Sequence, residues 1–225
     1  MTAAGHPWMP GPRVPILRAM RRLALGVLAL LLGVGACRAP SEPSLLSESA
    51  VTLDLPLVRQ DELHECGLSA ISALCQYWNV AIPPALRAEL AQKAADEKGL
   101  SGAELRQALD QLGMETFLFH GTLDRGETGL YRHVDAGRPL IVMLAIAGGS
   151  NHYCLILGYD EPRRTIALLD PARGEVLRPV EVFERTWDGC SRFTLLACPK
   201  GSGGDLPPGP IPPHHGSEGP QRKTP

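Results

Sequence analysis

After Gly113 the periodicity of the chain changes, and that change limits the fold more than any other feature of the sequence. Upstream, Leu68, Ile71, Leu74, Cys75 and Trp78 recur at three- and four-residue spacing, which predicts a helix over residues 66–79 with one buried face. Pro83-Pro84 end the following link, and residues 85–98, rich in strong helix formers, read as a second helix. Ser101-Gly102-Ala103-Glu104 is a capping box that opens a third, closed by Gly113. Downstream the apolar or β-branched runs are short: 114–119, 140–144, 152–159, 165–169 and 193–197, each bounded by Gly, Pro or charged turns. Residues 128–136 and 180–187 read as short helices between them. Helices first and strands afterwards predict an α+β domain, its N-terminal helices packed on a largely antiparallel sheet.

The two ends differ from this middle. Residues 1–36 hold Arg13, Arg18, Arg21 and Arg22 and no acid, and the apolar run from Leu23 to Ala36 is 14 residues long, short of the ~20 that span a bilayer. A basic stretch, an apolar stretch and the small residues Val34-Gly35-Ala36 before Cys37 read as an export signal, and the small residues followed by Cys resemble the lipobox of bacterial lipoproteins, which implies cleavage before Cys37 and diacylglycerol on its sulfur. An ordinary secretory signal with an incidental cysteine is the plainer alternative, and Met20 offers a second start. Residues 37–55, with Pro40, Pro43 and four serines, read as a flexible tether, and residues 200–225, with their many Gly and Pro, as a disordered tail. His214 and His215 fall in that tail. The globular domain is thus expected over 56–199. Cleavage removes four of the 22 basic residues and none of the 24 acidic ones, so the exported chain carries 18 − 24 = −6, which argues against nucleic acid as a partner. No GxxxxGK loop is present, which excludes a P-loop ATPase.

Within the domain, Cys66 opens the first amphipathic helix and is followed by Gly67. A helix N-terminus favours the thiolate, and a glycine leaves room for substrate backbone beside the sulfur. His152 begins the longest strand pattern, after the segment Ala147-Gly148-Gly149-Ser150-Asn151, and Asp170 ends the next one. Pairing 152 with 170 in a hairpin requires a turn centred on residue 161, where Asp160-Glu161-Pro162-Arg163 stands. Opposed residues lie ~5 Å apart, within reach of a carboxylate–imidazole hydrogen bond. The spacing therefore predicts a Cys66–His152–Asp170 relay. Gln60, six residues before Cys66, is placed to return its amide toward the sulfur and, with the Cys66 backbone N–H, to stabilise an oxyanion.

Gln60-x5-Cys66-Gly67, Ser150-Asn151-His152-Tyr153 leading to Gly158-Tyr159-Asp160, Leu169-Asp170-Pro171-Ala172-Arg173-Gly174 and Phe183-x3-Trp187 together resemble the bacteriocin-processing double-glycine peptidase family over residues 56–198. The resemblance implies a papain-like fold and a cysteine peptidase with Cys66, His152 and Asp170 as triad, Gln60 in the oxyanion hole and no cofactor. It also implies a peptide or protein substrate, cleavage after Gly-Gly, and an export system as a neighbouring partner. Two alternatives stay open from sequence: a thiol acyltransferase using the same triad, and a domain of this fold that binds peptide without cleaving it.

Cys75, Cys154, Cys190 and Cys198 remain once Cys37 and Cys66 are assigned. Cys190 and Cys198 flank one strand, about 26 Å apart at ~3.3 Å per residue, too far for a disulfide. His152, Cys154 and Cys190 match no common zinc spacing, so no metal is expected. Arg38 after the lipidated position, where Asp is the retention signal of Gram-negative lipoproteins, points to the bacterial outer membrane, facing the periplasm. Palmitate labelling should accordingly vanish in Cys37→Ser and persist in Cys66→Ser; label retained by Cys37→Ser would overturn the assignment.

Overall fold

A computed structural model describes residues 45–201. The export signal, Cys37, the first part of the tether, the tail and His214-His215 lie outside the described residues. Five helices and seven strands follow in the order β1 (Val51–Thr52), α1 (Cys66–Tyr77), α2 (Pro84–Glu97), α3 (Gly102–Gln111), β2 (Met114–His120), α4 (Leu130–Asp135), β3 (Leu140–Ala145), β4 (Asn151–Asp160), β5 (Thr165–Asp170), β6 (Gly174–Pro179), α5 (Val180–Asp188) and β7 (Phe193–Pro199). Among them no helix is long and apolar enough to cross a membrane.

The helix boundaries follow from local chemistry. Asn79, with φ 55°, ends α1 in the left-handed conformation that terminates helices, and Val80 N–H returns to the Cys75 carbonyl. Pro84 stands at the first turn of α2, where no N–H is needed. The capping box of α3 forms as the sequence predicts, Ser101 Oγ accepting from Glu104 N–H and Glu104 Oε2 from Ser101 N–H at 2.7 Å.

The strands form one antiparallel sheet ordered β2-β7-β3-β4-β5-β6, with β1 paired to β4 beyond the end of β3. Helices α1, α2 and α3 cover one face through Ile71, Leu74, Leu90, Leu105 and Leu109. Helices α4 and α5 cover the other through Leu130, Val134, Phe183 and Trp187. The Phe183-x3-Trp187 pair occupies adjacent turns of α5, both rings are fully buried, and Trp187 Nε1 donates to the Phe193 carbonyl at 3.0 Å.

Three features depart from the sequence-based expectation. The tether does not run to residue 55: Ser47 donates to the Asp160 carboxylate, Val51 and Thr52 pair with β4, and Leu55 is buried. The Ser/Pro-rich surroundings hid the alternating Val51, Leu53 and Leu55. Strand β6 is not among the expected strands because only Val176 and Leu177 break its polar run; it is an edge strand, which tolerates Pro179 and charge. Lastly, His152 and Asp170 are not directly opposed. Residues 161–164 form a four-residue turn with Arg164 at φ 47°, so Asp160 faces Thr165, and β4 carries a bulge between Ile156 and Gly158. Beyond it Leu155 faces Leu169. His152 and Asp170 are diagonal neighbours on one face.

The bulge exchanges inside for outside along β4. Before it Cys154 and Ile156 face the α5 side, and after it Tyr159 does. Gly158 lets β1 approach there, since a Cβ would stand 2.2 Å from the Val51 carbonyl oxygen. Gly158→Val should therefore cost about 1–3 kcal/mol through overpacking and accelerate hydrogen exchange at Leu53 N–H, the donor to the Leu157 carbonyl. Unaltered melting and exchange would show that β1 is not held at this point.

Candidate active site

Cys66 is the first residue of α1, after Glu65, and lies buried where the helix N-terminus meets the start of β4. Burial pushes its thiol pKa up, but a hydrogen bond with His152, the Tyr153 and Gly67 N–H groups and the charge of His152 outweigh this and hold it below the ordinary value. The unpaired amides of the first helical turn supply the same sign of field.

His152 stands near the start of β4, and Asp170 is the last residue of β5. His152 Nε2 and Asp170 Oδ1 are 2.7 Å apart. The carboxylate is nearly inaccessible, and Oδ1 also accepts from Ala172 N–H at 2.8 Å and Arg173 N–H at 3.3 Å. Burial raises the Asp170 pKa, yet the His152 contact and these amides carry it below the usual carboxylate range. For His152 burial lowers the pKa, and the hydrogen bonds to Asp170, Cys154 and Cys66 raise it well above that of a free imidazole. With Nε2 committed to Asp170, Nδ1 is the nitrogen left to exchange a proton with a thiol.

A second thiol touches this imidazole. Cys154 sits two residues along β4 on the same face, and its Sγ, a His152 ring nitrogen and an Asp170 oxygen all lie within 4.8 Å of one another. Its pKa moves the opposite way: burial raises it more than the His152 contact lowers it. Cys66 has the Tyr153 and Gly67 N–H groups beside it, so the His152 contact favours the thiolate more at Cys66 than at Cys154. The alternation of side chains along a strand puts 154 beside 152, a signal present in the sequence, where His152 and Cys154 are weighed with Cys190 only as metal ligands. Cys190 is engaged elsewhere, its Sγ donating to Asn151 Oδ1 at 3.3 Å. Cys66, Cys75, Cys154, Cys190 and Cys198 are all free thiols.

Gln60 is brought to the same place by its backbone. Its N–H donates to the Pro171 carbonyl at 3.1 Å, and Arg59 Nη1 donates to the Ala172 carbonyl at 3.2 Å, so residues 59–60 lie along the loop after Asp170. The Gln60 side chain, however, is turned toward its own loop, with Nε2 donating to the carbonyls of Glu62 and Leu63 and Oε1 buried without a partner. One of those contacts must yield before Nε2 can donate to an oxyanion.

The geometry thus holds a helix-terminal thiol, an imidazole of raised basicity and a buried carboxylate in series, a set suited to acyl transfer through a thioester. By sequence, residues 54–198 match the model of the Peptidase C39 family. No curated protein matches the chain. Among solved structures, the fold is similar to a double glycine motif protease from an AMS/PCAT transporter, crystallised with its leader peptide, at 18% identity and TM-score 0.51 over 68% of this chain and 96% of that one. It is similar also to the peptidase domain of Streptococcus ComA, a bifunctional ABC transporter of a quorum-sensing pathway, at 21% identity and TM-score 0.52 over 64% and 98%. A C39-like peptidase from Bacillus anthracis gives 17% identity and TM-score 0.50 over 67% and 98%. Family match, papain-like fold and the thiol–imidazole–carboxylate series agree, and the chain belongs to the Peptidase C39 family, as a cysteine peptidase.

Proposed function

We propose that the protein is an exported, lipid-anchored peptidase in which Cys66 is the nucleophile, His152 the acid and base, Asp170 the residue that orients the histidine, and Gln60 an oxyanion donor. The observation that carries this reading is the series in which Cys66 opens α1 against His152 while His152 Nε2 lies 2.7 Å from the buried Asp170 Oδ1, an arrangement that favours the thiolate at Cys66. The Cys66 thiolate attacks the peptide carbonyl carbon, and the oxyanion meets the Cys66 N–H and the released Gln60 amide. His152, protonated, gives its proton to the leaving amine as the C–N bond breaks. Water then adds to the thioester carbonyl, passes a proton to His152, and the C–S bond breaks to restore the thiolate.

The substrate class is a peptide, cleaved after Gly-Gly as in the double-glycine peptidases, with a neighbouring export system as its source or destination. Gly67 serves packing rather than substrate approach, since a Cβ at this position would meet the buried Leu105 at 3.1 Å and Leu100 and Tyr153 at 3.4 Å. The site of action is the outer membrane, facing the periplasm, with the anchor at Cys37; the signal-like run before Cys37 supports this.

The thiolate–imidazolium pair exists above the lowered thiol pKa and below the raised histidine pKa. Alkylation of Cys66 by iodoacetamide should therefore stay fast well below pH ~8.5, the value of a free thiol, and should follow ordinary thiol titration in His152→Ala. Identical pH profiles in the two proteins would show that these groups do not interact. The oxyanion role has its own test. Gln60→Ala should lower kcat by ~10²–10³ with little change in KM, and Cys66→Ala should abolish hydrolysis. A Gln60→Ala enzyme with unaltered kcat would mean that its amide stays with Glu62 and Leu63 throughout.

A further inference from the structure

A cavity of about 230 Å³ opens on the α5 side of the sheet, against His152 and Asp170. Its apolar wall is made by Ile146, Leu168, Val176 and Val182. Two arginines also line it, although the chain as a whole is acidic. Val176 faces Leu168 across the β5–β6 ladder, so Arg178, two residues on, lies on the same face. Arg173 is exposed and shares its charge with Asp170, Nη1 to Oδ2 at 3.9 Å. Arg178 is half-buried, and among the described residues no carboxylate pairs with it. The one acid in the lining is Asp170, and its charge already answers His152.

A half-buried guanidinium with no counter-ion at the end of an apolar pocket is matched by a carboxylate on a short aliphatic stem, which buries the stem and completes a charge-assisted pair. We propose that this pocket is a specificity subsite for a carboxylate of the peptide substrate, held by Arg178 with its aliphatic stem against Ile146, Leu168, Val176 and Val182. That carboxylate belongs either to an acidic side chain near the scissile bond or to a free C-terminus. The peptide identity of the ligand rests on the function proposed above; the carboxylate site itself does not.

The site can be tested without turnover. Pentanoate added to the full chain should produce a saturable shift of the Arg178 Nε–H resonance and of the His152 ring, and pentanamide, its neutral isostere, should not. Arg178→Met should abolish the pentanoate response at His152, and Arg178→Lys, which keeps the charge, should retain part of it. No saturable response to pentanoate, an equal response to pentanamide, or a full response in Arg178→Met would overturn the proposal.

Two peptide sets then separate the sources. One carries glutamate as its only carboxylate, scanned along amidated peptides. The other carries only a free C-terminus. In the set that matches, cleavage should favour the carboxylate peptide over its amide counterpart, and Arg178→Met should lower that ratio about tenfold, the worth of one charged hydrogen bond. Cleavage with no preference in either set would refute the subsite and leave the peptidase reading standing. Pentanoate binding without cleavage of any peptide would do the reverse.

Discussion

The hydrogen bond between His152 Nε2 and Asp170 Oδ1 is the contact on which the rest of the site depends. A carboxylate as buried as Asp170 is costly unless its charge is met, and the sheet meets it from two sides. The imidazole approaches from β4, and the Ala172 and Arg173 amides approach from the loop that follows. Once Asp170 is held ionised, the proton on His152 is held too, and a thiol that reaches His152 faces a cation. Charge is thus passed outward in two steps, from a buried anion to a half-buried cation to a thiol held below its ordinary pKa beside the helix N-terminus.

That His152 touches two thiols makes the location of the helix decisive. Both Cys66 and Cys154 feel the same imidazole, and both lose solvation by burial. Only Cys66 adds the amides of a first helical turn, those of Gly67 among them, and burial wins at Cys154. Replacing α1 by an irregular loop would leave the imidazole with two nearly equivalent partners. The amphipathic spacing of Leu68, Ile71 and Leu74 therefore contributes to chemistry, since it docks α1 so that its first residue lies at His152.

The pairing of His152 with Asp170 was legible in the sequence because it depends on which face a residue occupies, and face depends only on parity. The hairpin arithmetic placed Asp170 opposite His152. In the molecule the 161–164 turn and the bulge together move the register by two residues, which leaves the parity unchanged and the two side chains still within reach. An error of one residue would have put Asp170 on the other face. The helices were legible for a similar reason, each having its own start and stop residues. The strand β1 and the backbone position of Gln60 were not, because both are set by contacts far along the chain: β1 by a space that Gly158 leaves open, and the Gln60 backbone by the Pro171 carbonyl. Arg178 carries no signal at all until β6 is known to be a strand whose alternate residues face α5.

The same loop explains why the motif around Asp170 is longer than catalysis alone requires. Asp170 supplies the carboxylate, but Pro171 and Ala172 supply carbonyls, and these accept from Gln60 N–H and Arg59. Gly174, at φ 89°, then turns the chain into β6 in a conformation that side chains rarely adopt, with the Arg59 guanidinium 3.2 Å from where a Cβ would be. One turn therefore fixes the carboxylate that meets His152, the backbone position of Gln60, and the start of the edge strand that carries Arg178. A displacement of that loop would act on all three together. It would loosen Asp170 from His152, release the Gln60 backbone from Pro171, and shift the pocket wall, while neither buried core would lose a side chain.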